Sequence, residues 1–118
     1  MMLSISGKVD VMLPDNGAGA EITGPCTPPS NAKTRPGQEV RVTDGEGAVL
    51  GTGKLADGRT RGSAMFKQCA FVLSFKVSGA PENYKLIIGD FAPMQYTRED
   101  IRRGLSFYET EQGTLAAY

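Results

Sequence analysis

The stretch CAFVLSFKV, residues 69–77, alternates in a way that decides the fold. Cys69, Phe71, Leu73, Phe75 and Val77 fall on one side, and Ala70, Ser74 and Lys76 on the other. A period of two is the mark of a strand with one face buried. The alternation extends back to Met65, with Lys67 as the interruption, a residue whose long stem lets its charge reach water from an apolar face. The same period recurs over residues 3–13, where Leu3, Ile5, Gly7, Val9, Val11 and Leu13 share one side and Ser4, Ser6, Lys8 and Asp10 the other.

Outward from these two strands the chain is cut by turns. Residues 38–43 read as a strand with Val40 and Val42 on one face. Asp44-Gly45-Glu46-Gly47 is a hairpin turn, because glycine supplies the positive φ such turns need. The return strand covers residues 48–55, and its Gly51 and Gly53 point to a bulge or a close backbone approach. Residues 56–62 read as a polar loop. Residues 84–89 form a further strand with Tyr84, Leu86 and Ile88 on one side. Thr97 with Asp100 three places on resembles a capping box, and Gly104 is a C′ stop, so a short helical turn is expected near residues 97–103. Residues 105–110 make a last strand, and the tail after Gln112 is expected to be frayed or docked on a neighbour. Between the first two strands, residues 14–37 form a long loop rich in proline and glycine, in which only Glu21, Ile22 and Thr23 look extended. A loop of that length is usually functional, stapled or mobile.

Six or seven short strands set by turns predict an all-β fold: one antiparallel β-sandwich, of the immunoglobulin-like, Greek-key type, spanning residues 1–118 as a single domain. The composition agrees. With 15 Gly, 7 Pro and no Trp in 118 residues, turns are frequent. A domain of this size buries roughly 65% of its unfolded surface, enough for a core. The formal net charge is zero, with acids and bases interspersed, so nothing draws the chain at long range to nucleic acid or anionic membrane. No stretch approaches the roughly 18 apolar residues of a membrane span. MMLSISGKVDVML lacks a charged n-region, an apolar h-region and a cleavage site, so no signal peptide is read in the chain as given. Either it leaves the cell without one, or a signal or anchor was removed.

The absence of histidine closes the Ser-His-Asp, Cys-His and imidazole-metal routes. Gly51-Thr52-Gly53-Lys54-Leu55-Ala56 imitates a dinucleotide fingerprint, but no helix opens at its glycines. Ser30-Asn31-Ala32-Lys33 matches the serine and lysine pair of penicillin-recognising enzymes, yet two prolines precede it and no partner motif follows. Asp44 with Glu46, and Glu99 with Asp100, are the acid pairs left for a small carboxylate-based hydrolase; hairpin turn and helix start explain both placements. Asp15, Asn16, Asp44 and Glu46 are oxygen-rich turn residues of the kind that hold calcium weakly, but their spacing matches no calcium loop. The expectation is therefore no catalytic residue, no cofactor and no metal. Arg59, Arg61, Arg98, Arg102 and Arg103 form one interaction patch if their two loops lie at the same end of the sandwich; solvated surface is the ordinary reading. Cys26 and Cys69 have two readings. A bridge would staple the long loop to the strand and contribute about 4 kcal/mol by the chain-entropy model; otherwise they are free thiols, one in the core and one in the loop.

The chain resembles a family of small exported domains common in actinobacteria, often lipoproteins or membrane-anchored proteins. The resemblance rests on Gly24-Pro25-Cys26, on RPGQEVRVTDGEGAVLGTGKL over residues 35–55, on Cys69 with Phe71 and Phe75, on residues 84–89, and on Tyr96-Thr97-Arg98-Glu99-Asp100-Ile101. It covers residues 4–107. It implies a small β-sandwich in which Cys26 pairs with Cys69, and a binding or surface role without catalysis. The chain departs from that pattern in lacking the export signal and in being proline-rich after Cys26.

The functional expectation is a non-enzymatic structural or interaction module with protein partners, by self-assembly or on larger structures. One setting is a bacteriophage virion, as a capsid decoration or tail protein; the alternative is an exported cell-envelope binding domain. Both place it on an extracellular face, the virion surface or the cell envelope, without nucleic acid and without a membrane span in this chain.

Overall fold

Two long strands pair along their whole length and organise the rest. β1 (Met2–Met12) and β5 (Lys67–Ser78) run antiparallel with Leu3 opposite Val77, Ile5 opposite Phe75, Val9 opposite Phe71 and Val11 opposite Cys69. Each of these pairs joins residues of the two apolar faces read from the sequence, and most are buried outright, Ile5, Val9, Phe71 and Val77 completely. The computed structural model describes residues 2–63 and 65–118.

Among the described residues there are nine strands in two sheets. The first sheet has the order β4-β5-β1-β8-β9, with β4 (Arg59–Gly62), β8 (Leu105–Glu109) and β9 (Leu115–Ala117). All its pairings are antiparallel except β1 with β8, which is parallel and sets Val9 beside Phe107. The second sheet has the order β3-β2-β6-β7, all antiparallel, with β2 (Glu39–Thr43), β3 (Val49–Lys54), β6 (Asn83–Ile88) and β7 (Met94–Thr97). One cluster of buried side chains from both sheets fills the space between them, with Val40, Val42, Leu86 and Ile88 facing Ile5, Phe71 and Phe107. The architecture is that of a sandwich. The expected close approach at β3 is real: a Cβ on Gly53 would stand 2.6 Å from the Phe75 ring and one on Gly51 2.7 Å from the Lys76 carbonyl, so β3 packs down on β5 at van der Waals distance.

Several sequence expectations need correction. Residues 59–62 are an edge strand, not loop: Thr60 is fully buried, and the polar composition hid it. β7 went unread because only four residues extend between a turn and the helix. Residues 21–23 form a turn, closed by the Gly24 amide donating to the Glu21 carbonyl at 3.0 Å, with Thr23 at φ 68°. Met65 lies outside β5 and is 74% exposed. Of the two expectations for the tail, frayed or docked on a neighbour, the structure shows the second: β9 pairs with the adjacent strand β8.

The helix follows its sequence signal. α1 (Arg98–Arg102) begins at Thr97, whose hydroxyl accepts from the Asp100 amide at 3.2 Å while the Asp100 carboxylate accepts from the Thr97 amide at 2.9 Å. Gly104, at φ 84°, ends it, a backbone state that costs glycine least. Ile101 is buried and anchors the turn in the core.

Candidate functional site

Cys26 and Cys69 form a disulfide, with Cα atoms 5.8 Å apart. The loop is laid along β4 beside the bond: the Thr23 amide donates to the Thr60 carbonyl at 2.8 Å, the Thr60 amide to the Gly24 carbonyl at 2.8 Å, and the Cys26 amide to the Gly58 carbonyl at 3.2 Å. Gly58 lies against the bridge so closely that any Cβ would collide with the Cys69 sulfur. At its other end the loop is held by Glu109 of β8, which accepts from the amides of Lys33 and Thr34, both at 2.9 Å, and from the Thr34 hydroxyl at 2.7 Å. Residues 14–37 are thus fastened to both sides of the first sheet, by a covalent bond on one and a carboxylate on the other.

The five arginines fall into two groups. Arg59 and Arg61 stand on the edge strand β4, whereas Arg98 and Arg102 belong to α1 and Arg103 caps it. β5 and β1 lie between β4 and β8, the strand into which α1 leads, so the two groups belong to separate elements. Arg98 donates to the Tyr84 hydroxyl at 2.9 Å, and Arg103 pairs with Glu99 at 3.2 Å.

The acid pairs have local structural roles. Asp44 Oδ1 accepts from the amides of Glu46 and Ala48, at 2.9 and 3.0 Å, and so closes the β2–β3 turn. The capping bond from the Thr97 amide, then that from the Thr97 hydroxyl region, holds the Asp100 carboxyl below its ordinary pKa. Tyr96 beside it is shifted up, by burial first and by the Asp100 charge second. A groove of about 490 Å³ between the end of β1, the long loop and the β8–β9 turn has three other acids in its wall, Asp15, Glu109 and Glu111, of which Glu109 is engaged by the loop. Among the described residues no group of three or more metal-ligating side chains is assembled. Of the calcium-type residues, the Asn16 side chain lies outside the described ones.

The group that sequence reasoning missed sits on the outer face of the first sheet. Alternation assigns Asp10 to solvent, yet it is 1% exposed. Arg59, Ala70, Asp10 and Tyr108 come into one row across β4, β5, β1 and β8. Tyr118, just past β9, leans over Asp10 and donates its hydroxyl to Oδ2; Lys8 reaches the same oxygen at 2.9 Å. Gln68 donates to the Tyr118 hydroxyl at 3.1 Å, and the Tyr108 and Tyr118 rings meet at a centroid distance of 5.2 Å. Burial, and then the hydrogen bond to the Asp10 carboxylate, push the Tyr118 phenol up from its ordinary pKa. Among the described residues Asp10 Oδ1 has no hydrogen-bond partner, and it is buried. Beside it lies a cavity of about 170 Å³ lined by Asp10, Met12, Gln68, Tyr108 and Tyr118. Lys8 and Asp10 share a face two residues apart, which the sequence shows; that Tyr108 and Tyr118 join them depends on the parallel β1–β8 pairing.

Among the described residues no helix is long and apolar enough to cross a membrane. Set against models of known protein families, curated proteins and solved structures, the chain matches none.

Proposed function

We propose that the chain is a non-enzymatic interaction module that works by surface contact. The observation that carries this reading is an apolar patch at one end of the first sheet. Met65 and Phe66, in the turn joining β4 to β5, are 74% and 59% exposed. Met12, half exposed, is registered with Gln68 just beyond that turn, and exposed Ile22 precedes the Thr23 amide that bonds Thr60 of β4. In the sequence Arg61 and Lys67 flank Met65 and Phe66, and the Lys67 ammonium donates to the Ala20 carbonyl at 2.7 Å. Large apolar side chains gathered in the open and rimmed by charge are a common mark of a protein contact.

The setting we favour is the outside of a bacteriophage particle, as a capsid decoration or tail component; the alternative is the envelope of an actinobacterium, in keeping with the resemblance noted above. The Cys26–Cys69 bridge supports either, since disulfides persist in oxidising surroundings. We read the sandwich as immunoglobulin-like with Greek-key connections. The order β4-β5-β1 against β3-β2-β6-β7 follows that of the D-E-B and C′-C-F-G strands, with β8 where strand A would lie. Tyr84, at the start of β6, directs its hydroxyl back to the Gly79 carbonyl at 3.5 Å, like the tyrosine corner of such domains.

The test is retention of the purified chain on intact virions and on envelope fractions, with sedimentation across a wide concentration range to detect self-association. Specific retention or self-association, weakened by Phe66→Ser, is expected. A chain that stays monomeric and is retained by neither material overturns the reading.

A further inference from the structure

The outer-face cluster, whose cavity shares Met12 with the apolar patch, carries a different inference. An ionised carboxylate offers about four acceptor sites. Asp10 uses one oxygen for Lys8 and Tyr118 and buries the other with no donor among the described residues, although a cavity opens beside it. Buried polar atoms left this way call for a partner. Of the neutral donors in the cavity wall, the Gln68 amide is directed to the Tyr118 hydroxyl and the Tyr118 hydroxyl to Asp10 Oδ2, neither to Oδ1. The group this carboxylate does hold is an ammonium: Lys8 Nζ lies 2.9 Å from Oδ2 and 5.3 Å from the centre of the Tyr118 ring. Carboxylate and aromatic face are the two elements that recognise such a cation.

The geometry points to the cavity over Asp10 as a receptor for an alkylammonium group, with Lys8 as its intramolecular stand-in. The incoming ammonium donates to Asp10 Oδ1, and its alkyl stem lies against Met12 and the Tyr108 ring, which suits a pocket of mostly apolar wall with one polar anchor. Two ammonium groups on one carboxylate repel, so the ligand and Lys8 compete. Lys8 can yield, because its side chain is 41% exposed. Entry turns Tyr118 aside, since Asp10 itself is 1% exposed while Tyr118 is 65% exposed and leaves little packing behind.

The experiment titrates n-butylammonium chloride into the full chain and follows the Asp10 carboxyl carbon and the Lys8 Cε by NMR. Saturable shifts are expected at both, with Lys8 Cε moving to its free-lysine position. Lys8→Met, which removes the competitor, should bind about tenfold tighter. Asp10→Asn and the uncharged probe n-butanol should give no saturable shift. Should Lys8→Met fail to fold, displacement of Lys8 in the unaltered chain still decides. Equal shifts with n-butanol, retained binding in Asp10→Asn, or no saturable shift in either Lys8 form would overturn the proposal. A second arm uses acetyl-Gly-Lys-Gly-amide: tighter binding than n-butylammonium assigns the site to a protein lysine, weaker binding to a free amine.

Discussion

The two faces of the first sheet are built from the same strands and obey different rules. On the inner face Leu3, Ile5, Val9 and Val11 of β1 and Cys69, Phe71, Leu73 and Val77 of β5 enter the core, and Ile5, Val9, Phe71 and Val77 are fully buried with no polar atom to satisfy. On the outer face the default is exposure, as at Lys76 or Val72, but Asp10 and Ala70 are covered as completely as the core. Inside, burial follows from hydrophobic area summed over many residues. Outside, it follows from one tyrosine laid across a carboxylate, with a lysine and a glutamine completing the bonds. The first kind is redundant and the second is not.

Removing the disulfide is the strongest way to break the inner face without touching the outer one. Cys69 points inward from β5 and Cys26 holds the long loop over it. Replacing both by alanine should lower unfolding stability in urea by about 4 kcal/mol, the chain-entropy value for a closure of this length. The NMR signals of Tyr108 and Tyr118 should stay where they are. An unchanged urea midpoint would show that the loop is held by its hydrogen bonds alone. A smaller effect of the same origin is expected for Gly58→Ala, whose methyl meets the Cys69 sulfur and comes within 2.7 Å of the Cys26 carbonyl. Overpacking against a bond that cannot move should cost about 1–3 kcal/mol, read in the same denaturation, and much less once the disulfide is absent.

This contrast also explains what the sequence made legible. Alternation over residues 69–77 and 3–13 located the central pair of strands, because a half-buried strand repeats its signal along its length. The Thr97–Asp100 cap was readable because both partners lie within one turn. β4 was hidden because, on an edge strand of four residues, only Thr60 is buried, and it is polar. The Asp10 cluster was beyond reach for a different reason: Asp10 and Tyr118 lie 108 residues apart, and they meet only because β8 runs parallel to β1. Local chemistry marks Lys8 and Asp10 as neighbours, but nothing local says that a tyrosine will cover them.

The finest test of the comparison is Tyr118→Phe, which keeps the ring and removes only the hydroxyl that reaches Asp10. The loss should be about 1 kcal/mol near neutral pH, since the hydroxyl's two hydrogen bonds, to Asp10 and from Gln68, sit on a mostly exposed side chain. Its pH dependence separates this bond from simple packing. The folded phenol titrates higher than the unfolded one, whose pKa is about 10. Its contribution is therefore fully present below about pH 10 and is lost as pH rises toward the folded value, because the unfolded chain gives up the proton first. Every other titrating group is common to both proteins and cancels in the difference between them. The gap in urea midpoint between the unaltered chain and Tyr118→Phe should be constant from pH 6 to about 9 and close above about 10. A gap that persists unchanged into alkali would mean that the ring alone covers Asp10 and that the outer face, like the inner one, is held by area.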